Sequence, residues 1–199
     1  MRVALFGGSF DPPHHGHLAI AKAAADAFRL DTVLFAPAAR QPMKLDDTVT
    51  SFEDRLAMVK LACGEDARFT VSEIDEPRAD GTPNYTVETL SELALKMPEA
   101  TLFNLVGADS FLELPKWREP ERLLELAEWI VVSRPGFSIG SLSSLGLNAH
   151  QQNRVHLLKN VHEDTAATKL RERLEMGDPC IDLIAPRVLN YIQNHHLYQ

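Results

Sequence analysis

The stretch that decides the fold is Val3-Ala4-Leu5-Phe6-Gly7-Gly8-Ser9-Phe10-Asp11-Pro12-Pro13-His14-His15-Gly16-His17. Residues 2–6 form a short apolar run with the length and flanks of a buried strand, and the Gly7-Gly8 pair breaks it. The alanine-rich segment that follows, residues 16–28, reads as a helix. A strand feeding a glycine pair and then a helix is the opening of a βαβ unit. The glycines admit φ > 0 and let a bulky anion approach the backbone. The amides of Gly7, Gly8, Ser9 and Phe10 are expected to form an anion-binding concavity. The spacing is neither that of a dinucleotide fingerprint nor that of a Lys-bearing phosphate loop. His14 and His17 are three residues apart with Gly16 between them, so in a helical turn both imidazoles face one way. Near the positive helix end they suit a phosphate. A surface cluster, a zinc site and a plain helix cap compete with this reading, and the glycine pair at the end of a first strand favours phosphate.

Working outward, the same alternation repeats. Residues 32–36 read as a second strand stopped by Pro37. Ser51-Phe52-Glu53-Asp54 resembles a capping box that opens a helix to about residue 62. Residues 69–72, 101–106, 129–133 and 155–158 read as further strands. Helices are expected from a Thr86 N-cap to near residue 97, over 168–176 with Gly177 as a left-handed stop, and over 186–195. A cap for the helix at 168 is expected at Asp164 or Thr165. Residues 136–148 read as a loop. Strands alternating with helices predict an α/β fold: a Rossmann-like doubly wound parallel sheet with helices on both faces and a small C-terminal helical segment, all one domain over residues 1–199. In such sheets ligands bind beyond the carboxyl ends of the strands, where strand order reverses. The loops after Phe6 and Val106 should therefore border one crevice, with Gly107 and Asp109 facing the glycine pair. There Asp109 suits ribose hydroxyls, and Trp117, in a loop with Pro115 and Lys116, suits stacking on a flat ring. The expected helix start at Thr86 suits a carboxylate.

Bulk properties narrow the function. The 199 residues are 45% apolar and 24% charged, with a net charge of -8. That acidity speaks against a nonspecific nucleic-acid binder, although local cations still admit an anionic substrate. Cys63 and Cys180 show no metal or paired spacing, which fits a reducing compartment. With no signal-peptide pattern and no apolar run of membrane length, the expected location is the cytoplasm. A homo-oligomer is compatible with the sequence.

The segment Gly7-Gly8-Ser9-Phe10-Asp11-Pro12-Pro13-His14-His15-Gly16-His17 resembles the signature of the nucleotidyltransferase superfamily. Its Phe-Asp-Pro variant is similar to two branches, nicotinate-nucleotide adenylyltransferase of NAD synthesis and pantetheine-phosphate adenylyltransferase of coenzyme A synthesis. Residues 37–44, Tyr85-Thr86-Val87-Glu88-Thr89-Leu90, Val106-Gly107-Ala108-Asp109-Ser110, the Pro115-Lys116-Trp117 run and Val132-Ser133-Arg134-Pro135-Gly136 resemble the nicotinate branch nearly end to end. The chain has Met43 where that branch has His, Glu88 where it has Asp, and Ala166-Ala167 where it has two serines. The resemblance implies ATP and nicotinate mononucleotide as substrates, with Mg²⁺ accompanying ATP. It implies phosphate-handling roles for His14, His17, Lys44 and Arg171. ATP contacts are implied at Gly7, Gly8, Ser9, Phe10, Gly16, Gly107, Asp109, Arg134 and Thr168, and acceptor contacts at Tyr85, Thr86 and Trp117. Nicotinamide mononucleotide or phosphopantetheine as acceptor, or a non-catalytic nucleotide-binding module, are the rivals.

Overall fold

The computed structural model describes residues 1–40, 42, 50–133, 145–159 and 167–199. Strands β1 (Arg2–Gly8), β2 (Thr32–Pro37), β3 (Phe69–Val71), β4 (Thr101–Gly107), β5 (Glu128–Val132) and β6 (Val155–Leu158) form one sheet. Their order is β3-β2-β1-β4-β5-β6 and every pairing is parallel. Strand order therefore reverses between β1 and β4, as the alternation predicts.

Side chains along a strand alternate between faces, and β1 shows it. Val3 and Leu5 pack with Val87, Leu90 and Leu93 of α3 (Thr86–Lys96) and with Leu123 and Leu124 of α5 (Pro120–Leu126). Ala4 and Phe6 pack on the opposite face with Ala21, Ala24 and Ala25 of α1 (His15–Phe28) and with Val59 of α2 (Phe52–Ala62). Both faces are covered, which is why these strands read as continuous apolar runs rather than alternating ones. A third cluster joins Met58 and Ala62 of α2 to Leu170 of α7 (Ala167–Glu175) and to Val188, Leu189 and Ile192 of α8 (Pro186–Asn194). This is the expected C-terminal helical segment, docked on α2. No helix among the described residues is long and apolar enough to cross a membrane. Both cysteines are free and buried, and burial pushes the Cys63 thiol up to about 12.

Four local expectations change. The glycine pair does not break β1, because the strand runs through Gly8, which pairs with Pro37. Nor do Gly7 and Gly8 adopt positive φ; the left-handed residue of the loop is Phe10, at φ 50°. Thr86 is not the N-cap of α3. Tyr85 is, without a side-chain cap, and Thr86 is the first helical residue. At α2, Ser51 Oγ accepts from the Asp54 amide as the capping box predicts, but the Asp54 carboxylate takes the Ser51 hydroxyl rather than the backbone. The sequence reading also lacks α4 (Ala108–Leu112), α5 and α6 (Ala149–Gln152). The expected cap at residues 164 and 165 lies outside the described residues, while Gly177 stops α7 at φ 81°.

Candidate active site

The carboxyl ends of β1 and β4 open into a cavity of about 530 Å³. Gly7 and Gly8 form one wall, Asp109 and Ser110 another, and Tyr85, Thr86 and Trp117 a third. A Cβ on Gly7 would project into open space, so the missing side chain leaves room beside the strand end. Gly8 is needed for a different reason: a Cβ there would meet the Phe10 ring at 3.2 Å. The glycine pair thus leaves open space at the first position and admits the close approach of Phe10 at the second.

A ladder of backbone bonds joins the walls. The Ala38 amide donates to Gly8 O at 2.9 Å, the Ala39 amide to Asp75 O at 2.9 Å, and the Asn84 amide to Arg40 O at 3.0 Å. Asn84 precedes Tyr85, so this ladder carries the start of α3 to the ends of β1 and β2. Arg55 of α2 locks the arrangement from below. It is 1% exposed, and its Nη1 donates to Ser9 O and Ala38 O, each at 2.8 Å. Burial lowers its guanidinium pKa against the opposing charge of Asp11. In the sequence, Arg55 looks like an ordinary charged helix residue.

The histidine loop sits directly before α1. His14 is the N-cap, and its amide donates to His17 Nδ1 at 3.2 Å. That bond fixes the neutral tautomer of His17 with its proton on Nε2, free to donate. The two rings lie 3.8 Å apart between centroids, and Phe10 packs edge-on to His17 at 4.9 Å. Burial, then the neighbouring His15, lowers His14 to about 4. Burial first and His14 second hold His17 well below 6.5. Both imidazoles are therefore neutral hydrogen-bond donors at neutral pH rather than cations. His14 Nδ1 is buried without a partner among the described residues.

Gly16 is buried in the first turn of α1. Arg171 is brought to the same loop from α7, where its Nη1 donates to Asp11 O at 3.0 Å and its Nη2 to Thr168 Oγ1 at 3.3 Å. Thr168 itself is exposed. Gly107 and Asp109 stand exposed at the β4–α4 junction, and Asp109 lines the cavity. Lys44 and Arg134, with Met43 and Ala166, lie outside the described residues. The structure adds cavity residues that the sequence did not single out: Asp75, Asn104 and Arg118. Arg118 lies 4.7 Å over the Tyr85 ring and pairs with Glu88, which also holds Arg78. Glu88, in place of the Asp of the resembled branch, thus ties the residues around Trp117 to the first turn of α3. Asp75 is 8% exposed and accepts from Thr89 Oγ1 at 2.6 Å, and burial pushes its carboxyl up to about 6. Asn104 projects from β4 into the cavity, 4% exposed. Trp117 is half-buried, packed edge-on to Trp129 at 5.8 Å. No group of three metal-ligating side chains occurs among the described residues.

A family model described as cytidylyltransferase-like matches residues 5–174. The chain is 40% identical over 198 residues to a Leifsonia xyli protein named "Probable nicotinate-nucleotide adenylyltransferase", covering 100% of this chain and 94% of that one. A Roseiflexus protein of the same name is also 40% identical, with 99% and 98% covered. Among solved structures it resembles the Plasmodium falciparum nicotinic acid mononucleotide adenylyltransferase complexed with APC, and the same protein complexed with NaAD. Each has a TM-score of 0.75 over 99% of this chain, with 96% and 97% of the other covered. At 16% identity these two speak for the fold alone. A model match across most of the chain and full-length relatives at this identity place it plainly: the chain belongs to the cytidylyltransferase-like family, in the branch of the nicotinate-nucleotide adenylyltransferases.

Proposed function

We propose that this chain, as a single cytoplasmic nucleotidyltransferase domain, transfers the adenylyl group of ATP to nicotinate mononucleotide, giving nicotinate adenine dinucleotide and pyrophosphate. One observation carries the acceptor: the uncapped start of α3, at Tyr85 and Thr86, opens into the same cavity as Trp117, across from Gly7 and Gly8. A helix N-terminus without a side-chain cap favours a carboxylate, and an aromatic wall favours a flat ring. Nicotinate offers both, whereas an uncharged carboxamide gains less from the helix end.

The reaction makes one P–O bond and breaks another. A phosphate oxygen of the acceptor attacks the α-phosphorus of ATP, and the bond to the β-phosphate oxygen breaks with its electron pair leaving on pyrophosphate. The nucleophile is already anionic, so no general base is needed. What the protein supplies is alignment and stabilisation of charge on the transferring group. His17, with its proton on Nε2, and His14 donate to phosphate oxygens. Lys44, Arg134 and Arg171, with Thr168 and the amides of residues 7–10, hold the triphosphate. Asp109 and the Gly107 backbone bind the nucleoside. ATP would enter as its Mg²⁺ complex, and the ion would neutralise charge on the phosphates.

The test is pyrophosphate release with ATP, comparing nicotinate mononucleotide, nicotinamide mononucleotide and phosphopantetheine. The nicotinate nucleotide is expected to give the highest kcat/KM. Equal efficiency with either rival would overturn the acceptor assignment, and no release with any of the three would overturn the activity.

A further inference from the structure

Asp11, in the middle of the histidine loop, has no solvent exposure. Its Oδ1 accepts two hydroxyl bonds, from Thr50 Oγ1 at 2.6 Å and from Tyr198 Oη at 2.5 Å. Its carbonyl accepts from Arg171, and the charge of Arg55 faces its carboxylate. These partners come from the segment before α2, from α2, from α7 and from the residues after α8. They converge on one residue, Thr50 and Tyr198 on its side chain and Arg171 on its backbone, although Tyr198 is 187 positions away. Bonds this short are those of hydroxyls donating to a carboxylate. Burial and the Asp11 carboxylate raise the Tyr198 phenol above its ordinary range, so it remains a donor.

The loop needs such anchoring. Phe10 holds a left-handed conformation at φ 50°, which an L side chain with a Cβ disfavours and which surrounding contacts must impose. Its ring is wedged among Phe6, Phe35 and His17. Phe10 and Asp11 thus fix the chain just before it delivers His14 onto His17. The cavity residues Tyr85, Thr86 and Trp117 lie on other elements.

We propose that Tyr198 is a positioning residue for the histidine pair: its hydroxyl, through Asp11, holds the loop that places His14 against His17. The inference rests on the reading of those histidines as phosphate donors. It is tested on the full chain with Tyr198→Phe, beside His17→Ala, by steady-state pyrophosphate release and by ring-proton NOEs between His14 and His17. Losing a hydrogen bond to a charged group is expected to lower kcat about tenfold. KM for nicotinate mononucleotide should stay unchanged, and the inter-histidine NOEs should weaken. A merely structural bond would lower thermal stability and leave both readouts alone. Unchanged kcat in Tyr198→Phe, with His17→Ala impaired, overturns the proposal, as does a KM that rises in step with the fall in kcat. If His17→Ala itself is unimpaired, the phosphate reading fails, and the NOEs alone decide: retained, they overturn the positioning role; weakened, they support it. Should Tyr198→Phe not fold, Thr50→Val removes the other hydroxyl from the same oxygen and carries the same expectations and the same refutation.

Discussion

His14 should make the fold acid-labile in a way that one substitution removes. In the unfolded chain its imidazole takes up a proton near 6.5, whereas in the folded protein burial, aided by His15, lowers this to about 4. A depressed folded value means that the unfolded chain binds the proton more readily. The stability contributed by His14 is therefore complete above 6.5 and is lost as the pH falls toward 4. The gap corresponds to about 3 kcal/mol, of which roughly 2.5 has gone by about pH 4.5. His14 is only 6% exposed, so solvent screening takes little from that figure. The variant is His14→Asn, which keeps a polar N-cap residue and removes the titration. Urea denaturation followed by circular dichroism at about pH 7.5 and about pH 4.5 gives the stability change of each protein; groups other than His17, which loses the His14 contribution but keeps its burial, titrate alike in both. Wild type is expected to lose about 2.5 kcal/mol more than His14→Asn over that interval. Equal losses would refute the argument that the ring is held neutral by burial, and with it the assignment of His14 as a neutral donor.

Three further expectations follow from the site. His17→Ala is expected to cut turnover about 10²-fold while leaving the circular dichroism spectrum intact, as loss of one preorganised donor does; an unchanged rate of pyrophosphate release would remove His17 from the chemistry. Trp117→Ala should raise KM for the mononucleotide more than KM for ATP, and equal rises would make Trp117 a packing partner of Trp129 alone. Asp75 behaves oppositely to His14: its folded value is raised from 3.8 to about 6, so its stability is complete below 3.8 and is lost as the pH rises through about 6. Asp75→Asn should therefore gain about 2.4 kcal/mol relative to wild type between about pH 4 and about pH 7, measured by urea denaturation, and parallel curves would show that its carboxyl is not strained by burial. Because the contributions of His14 and Asp75 run in opposite directions over overlapping intervals, they partly offset in the wild-type profile, and only the variants separate them.

What the sequence could show was whatever a local rule decides. The six strands were legible as short apolar runs, with β1, β2 and β4 ending on Gly or Pro, and parallel topology then required the loops after β1 and β4 to meet. His14 and His17 were legible because a helical turn makes residues three apart neighbours. Misreadings arose where two local rules compete. A Gly-Gly pair signals both positive φ and close approach, and only the position of the Phe10 ring decides for the second. Tyr85-Thr86 offers a hydroxyl where a cap belongs, yet the helix starts one residue early and leaves its end open to the cavity. The helices α4, α5 and α6 are 5, 7 and 4 residues long, too short for any periodic pattern to accumulate. The remaining residues carry no local signal at all. Arg55 is one charge among several on α2 until the carbonyls of Ser9 and Ala38 are seen above it, and Asp11 is a loop aspartate until Thr50 and Tyr198 close on one of its oxygens. The division has a physical cause. The groups proposed to touch substrate sit in short motifs at strand ends, where the backbone itself shapes the site. Groups that hold those motifs in place are recruited from wherever the fold brings a donor near. The Ala166-Ala167 departure bears on the same division. Arg171, a few residues beyond it, is anchored to the carbonyl of Asp11, so this segment is joined to the histidine loop by a contact that needs neither serine hydroxyl.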